Sequence, residues 1–99
     1  MNADRKAGKV PFLFVVTLGT TSAGTVEPLA PMLSLARKHG AWLHADAAFG
    51  GMLAFASPGH EALASLKEAD SVTFDAHKAL HVPIGAGVLF TKHADVLRD

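Results

Sequence analysis

Residues Pro11 to Leu18, PFLFVVTL, are apolar almost without interruption and show no period-two alternation. A strand with one wet face alternates apolar and polar side chains. A continuous run suits a strand covered on both faces, as in the parallel sheets of α/β folds. Covering both faces takes two layers of helices, and the chain has only 99 residues, against a usual length of roughly 150 for one domain. A chain this short buries only about 60–70% of its unfolded surface. It is therefore expected to be a piece of something larger. Hydrophobic residues make up 49% and charged residues 18%, which excludes a disordered chain. Nine basic residues balance nine acidic ones, so no electrostatic footprint points to nucleic acid or an anionic membrane. No apolar run approaches the ~20 residues needed to span a bilayer. Cysteine is absent, which excludes disulfides and thiolate chemistry and permits a reducing, cytoplasmic compartment. Arg5, Lys6 and Lys9 before the apolar run mimic a secretory leader, but Asp4 and the shortness of the run argue against one.

Along the chain, residues 2–8 read as the tail of a helix stopped by Gly8, 12–18 as a first strand and 19–25 as a loop. A helix follows over about 28–39. Pro28 suits its first turn, Leu29, Met32, Leu33 and Ala36 line one face, and Gly40 ends it. The second strand is 41–46, and AAFGGM after it is a loop. A second helix at 60–68 packs Leu63 and Leu66. Ser71–Ala76 is the third strand, HKALHVPI a loop, Gly87–Thr91 the fourth strand, and His93–Arg98 the start of another helix. This order makes one α/β unit without an internal boundary. In parallel α/β sheets ligands sit outside the carboxyl ends of the strands. Here those ends carry Thr20 and Thr21, then Asp46, then His77 and Lys78.

Several familiar motifs fail. Gly19 and Gly24 have the spacing of a phosphate-binding loop, but Thr25 and Val26 stand where its Lys and Ser/Thr belong. His60-Glu61 begins like a zinc-protease helix, yet Ala64 occupies the second ligand's place. Neither a G-x-S-x-G elbow nor a G-x-G-x-x-G turn occurs. A metal site through His44, Asp46, His77 and His81 is the fairer rival, since two histidines stand at i, i+4 and His44 and Asp46 share a strand face.

Asp46 ends a strand between apolar neighbours, where a carboxylate is costly to bury without a cationic partner, or else serves a local turn. Lys78 is either a solvated surface group or, at a strand end in a cleft, an amine nucleophile toward an aldehyde. His77 and the Thr20–Thr21 hydroxyls have equally ordinary structural readings. Taken together, a buried carboxylate and a cleft lysine suit pyridoxal phosphate (PLP), which needs a Lys Schiff base and an acid that keeps its pyridine nitrogen protonated.

HADAAFGG (44–51) followed by ADSVTFDAHKAL (69–80) resembles the group II PLP-dependent amino-acid decarboxylases, which include the glutamate, aromatic amino-acid, tyrosine and aspartate enzymes. VVTLGTTSAGTVEPL (15–29) and DRKAGKVPF (4–12) are similar to the stretches preceding that aspartate strand, so the resemblance covers nearly the whole chain. It implies an α/β fold, a partial three-layer sheet sandwich, with residues 1–99 the central part of the PLP-binding large domain of the aspartate-aminotransferase-like fold type I. It further implies that Lys78 forms the Schiff base and Asp46 pairs with the pyridine nitrogen. Ala48 would pack on the ring, Thr21 line the site, and His77 lie near the cofactor phosphate.

One residue departs from the pattern. Asp75-Ala76 stands where many members have Asn-Pro, and a carboxylate there would repel a phosphate, so Asp75 receives no role. The tail HVPIGAGVLF is nearer the bacterial or archaeal aspartate/tyrosine branch. The family's upstream phosphate loop, the ring-stacking histidine, the mobile catalytic loop and the C-terminal small domain are missing, so a partial chain without turnover of its own is expected. The intact enzyme would be a homodimer releasing CO₂ from an acidic or aromatic amino acid. An inert or self-associating fragment is the alternative.

Overall fold

The computed structural model describes residues 2–55 and 61–98. Strands β1 (Leu13–Thr17), β2 (Trp42–Asp46), β3 (Ser71–Asp75) and β4 (Gly87–Thr91) form one sheet in that spatial order. The first three run parallel, and β4 returns antiparallel along β3. Helix α1 (Asn2–Lys6) precedes the sheet, and α2 (Leu29–His39) connects β1 to β2. Gly40 stops α2 in the left-handed region at φ 62°, returning its N–H to the Ala36 and Arg37 carbonyls. Arg37, Lys38 and His39 in the last turn complement the negative end of the helix dipole.

Register decides what each face carries. Val16 pairs with Ala45 and Phe14 with Leu43, and these side chains point toward α2, which buries Leu29, Leu33 and Ala36 against them. Val16, Leu18, Leu43 and Ala45 are fully buried there. Because side chains alternate along a strand, the opposite face holds Leu13, Val15 and Thr17 beside Trp42, His44 and Asp46, then Ser71, Thr73 and Asp75. Leu13 and Val15 are 44% and 50% exposed and Leu89 is 54% exposed. The expected sandwich is thus present as its sheet and one helical layer. On the free side of β1, Thr17 donates its N–H to Glu27 Oε2 at 2.6 Å, and the Glu27 N–H returns to the Thr17 carbonyl at 3.0 Å. Leu18 bridges Val26 just beyond.

Four expectations change. The loop expected after the second strand winds from Gly50 into a 3₁₀ helix, Gly50–Phe55. The helix expected at 60–68 starts at His60, outside the described residues. Its remainder is a single turn, α3 (Glu61–Ala64), and a separate 3₁₀ turn, Leu66–Glu68. The Glu68 and Ala69 amides reach back three residues to Ser65 and Leu66, which tightens the chain as Ala69 enters the core. His77 and Lys78 lie not in a loop but in α4 (Ala76–Ala79). The expected helix at 93–98 is a run of turns, because His93 is held at its start by Asp70, 3.0 Å away, and by the Trp42 ring at 4.8 Å. No helix among the described residues is long and apolar enough to cross a membrane.

Asp70 ties the sheet together. Its Oδ2 accepts the Leu43 N–H at 2.8 Å and its carbonyl accepts the Lys92 N–H. Burial, the largest single influence, pushes the carboxyl upward, but the Leu43 amide, the His93 ring and Lys92 outweigh it and hold it below its ordinary 3.8. A carboxyl depressed in the folded state contributes stability above its unfolded pKa and loses it as pH falls through the folded value. Asp70→Asn keeps an oxygen for the Leu43 amide. It is expected to flatten the acid limb of the stability curve below about pH 4, read by urea unfolding across pH; an unchanged limb would contradict the assignment.

Candidate active site

The parallel order of β1, β2 and β3 brings their carboxyl ends side by side. At the end of β2, Asp46 passes its backbone carbonyl to the Leu18 N–H at 2.8 Å. Its Oδ1 accepts the Ala48 N–H at 3.2 Å, a side-chain turn that fixes the carboxylate against its own loop. Among the described residues that amide is the only donor to the carboxylate, which leaves Oδ2 open. The local-turn reading of Asp46 is thus the one its hydrogen bond displays, with the second oxygen left unengaged. Ala48 is half-buried one turn on.

Two glycines set the approach of the neighbouring loops. A Cβ on Gly50 would lie 2.0 Å from the Leu18 carbonyl oxygen, and one on Gly19, at φ +94°, would lie 2.9 Å from the Gly50 Cα. The loop after β2 is therefore seated directly on the end of β1. In the loop after β1, Thr20 accepts the Thr25 N–H at 3.1 Å, while Thr21 stands exposed beside it.

Asp75 closes β3, two residues beyond Thr73, which registers with Asp46. Asp46 and Asp75 thus share a sheet face, and Lys78 follows one helical turn later. The Lys78 Nζ lies 2.7 Å from Asp75 Oδ2. His77 Nδ1 lies 3.1 Å from the Ala86 carbonyl. A carbonyl only accepts, so the His77 proton sits on Nδ1 and Nε2 is left for a ligand.

The metal alternative does not assemble. His44 has Ser71 Oγ at 2.8 Å from Nδ1 and Thr73 Oγ1 at 3.1 Å from Nε2, so both ring nitrogens are engaged. His81 lies past the end of α4 at φ 55°. Among the described residues no group of three or more potential ligands could hold a metal ion.

Residues 1–99 match the family described as "Pyridoxal-dependent decarboxylase conserved domain". The chain belongs to this decarboxylase family. It is 42% identical over 85 residues to L-2,4-diaminobutyrate decarboxylase of Rhizobium meliloti, covering 86% of this chain and 17% of that protein. To aspartate 1-decarboxylase of Aliivibrio fischeri it is 38% identical over 96 residues, 96% of this chain and 18% of the relative. The crystal structure of mouse CSAD in apo form superposes with a TM-score of 0.88 at 32% identity, covering 95% of this chain and 20% of that one. The decarboxylase-family chain thus spans about a fifth of the length of these relatives, and its sheet is part of the fold type I architecture.

Sequence reasoning missed Asp75, which the helical turn of α4 brings onto Lys78. The signal was present as an Asp and a Lys three residues apart. It becomes visible only when residues 76–79 are read as helical, where such a pair faces one another. The row formed by Trp42, Ser71, His44 and Thr73 was likewise missed; Trp42 Nε1 donates to Ser71 Oγ at 2.8 Å.

Proposed function

We propose that residues 1–99 are the central part of the PLP-binding large domain of an amino-acid decarboxylase, and that Asp46 and Lys78 hold the cofactor. The observation that carries this is the placement of an open carboxylate oxygen and a lysine amine on one sheet face, at the ends of adjacent parallel strands. The donor set fits PLP: an amine for its aldehyde, an anion for its ring nitrogen, and a histidine whose second ring nitrogen, once protonated, can donate to an anionic group. When bound, PLP supplies the electron sink that stabilises negative charge at the substrate's α-carbon.

Each side chain then has a stated task. Lys78 would provide the amine that anchors the cofactor's aldehyde. Asp46 Oδ2 would hold a proton on the ring nitrogen, and the Ala48 amide keeps the carboxylate from turning away. Ala48 would pack against the ring and Thr21 would line the mouth of the site. His77, its Nδ1–H committed to Ala86, would donate from Nε2 to the phosphate as the imidazolium. The substrate is an acidic or aromatic amino acid, and the whole enzyme is a cytoplasmic homodimer. The name of the Aliivibrio fischeri relative, an aspartate decarboxylase, supports the acidic class.

The test is to incubate the chain with PLP, reduce with borohydride and map the modified lysines by mass spectrometry. Saturable labelling of Lys78 above Lys67 and Lys92 is expected, and Lys78→Ala should abolish the saturable component. Slow labelling spread evenly over the lysines would overturn the assignment. Exposure of Leu13, Val15 and Leu89 favours a second reading, self-association through the open sheet face; a stable monomer by sedimentation would dismiss it.

A further inference from the structure

An aspartate that precedes a helix ordinarily spends its carboxylate on the helix's first free amides. Asp75 occupies that position before α4, with φ −111° and ψ 101°, yet makes no capping hydrogen bond. Those amides are served from elsewhere. The Ala86 carbonyl accepts the Ala76 N–H at 3.0 Å and the His77 N–H at 3.4 Å, besides the His77 ring. Asp75 is thereby released from capping, and its Oδ2 reaches Lys78 Nζ at 2.7 Å. Room for this carboxylate comes from the facing strand. Gly87 registers with Asp75, and a Cβ there would come within 3.1 Å of Asp75 Oδ1. The carboxylate side chain is only 16% exposed, whereas the lysine side chain is 39% exposed. The anion is thus seated against the sheet and the lysine is the more exposed partner.

From this geometry we infer that Asp75 is a positioning residue for Lys78. It holds the free amine on the sheet face it shares with Asp46, and an aldehyde must draw Lys78 away from it. The inference rests on Lys78 being the aldehyde-reactive amine only for its functional meaning, and its test uses no cofactor. The chain is treated with a limiting amount of an N-hydroxysuccinimide acetate ester, and acetylation of each lysine is timed by mass spectrometry. A partly exposed ion pair contributes up to about 1 kcal/mol, equivalent to about a fivefold effect. Asp75→Asn is therefore expected to speed acetylation of Lys78 by about two- to fivefold relative to Lys38 and Lys67. Asp75→Glu should restore the slower rate. In the unsubstituted chain, raising NaCl to about 1 M, where the screening length falls to about 3 Å, should selectively accelerate Lys78. If the salt leaves the Lys78 ratio unchanged, or if Asp75→Asn changes no ratio in a chain with an unaltered circular dichroism spectrum, the inference is overturned. Failure of PLP to label Lys78 while this protection persists would remove the cofactor assignment and leave the positioning role standing.

Discussion

Asp46→Asn is expected to weaken saturable PLP capture at Lys78 by about ten- to a hundredfold, because a hydrogen bond to a charged group contributes about 1.5–3 kcal/mol. The substitution separates the two tasks of this side chain. Its amide oxygen can still accept the Ala48 N–H that Oδ1 now accepts at 3.2 Å, so the turn after β2 survives. What changes is the other arm: an NH₂ donor replaces the open oxygen and meets a ring nitrogen that needs an acceptor. Asp46→Ala removes both tasks and should lower the melting temperature as well. The measurement is a PLP titration trapped with borohydride and quantified at Lys78, with thermal melts as the check on folding. Equal capture by the Asn variant and the unsubstituted chain would show that Asp46 serves the turn alone.

The second large effect is structural. Gly50→Ala should cost about 3 kcal/mol or more, at the upper end of what overpacking usually costs, and lower the melting temperature by more than about 10 °C. The new methyl would fall 2.0 Å from the Leu18 carbonyl oxygen, which is backbone and cannot rotate aside. Relief requires the loop after β2 to lift from β1, and that movement carries Asp46 and Ala48 with it. The gain from a stiffer unfolded chain, about 0.4–1 kcal/mol, does not offset it. Gly40→Ala is the matched control. Its φ is +62° but nothing lies within 4 Å of a Cβ there, so only the left-handed penalty of about 1–2 kcal/mol applies. Similar losses at the two positions would mean that the loop contact is soft.

Much of this fold is legible in the order of residues alone. The Leu29, Met32, Leu33, Ala36 stripe gave α2 to within a residue, and the run from Phe12 to Leu18 contained β1. These are signals of local periodicity, and local periodicity survives in the order of residues. Asp46, His77 and Lys78 could be singled out because strand ends can be located in a sequence. The elements that escaped depend on contacts between distant segments. Helix α4 is only four residues long and is held by the Ala86 carbonyl, so no apolar stripe announces it. Residues 93–98 carry helix-compatible side chains, but the docking of His93 on Trp42 and Asp70 prevails. Asp75 was set aside for the repulsion it would exert on a phosphate. Its attraction to Lys78 depends on a helical turn the sequence did not disclose.

The Glu27 contact on β1 bears on solubility. Among the described residues β1 is an edge of the sheet, and its sequence, LFVVT, is uncharged and rich in β-branched residues, the kind of segment that recruits a second copy by backbone pairing and seeds fibrils. With the Thr17 amide occupied by the Glu27 carboxylate and the Thr17 carbonyl by the Glu27 amide, an incoming strand finds the end of this edge already paired and carrying a negative charge. In this chain Glu27 occupies a gatekeeper's position, so the loop that leads from β1 into α2 also blocks the end of the edge it leaves.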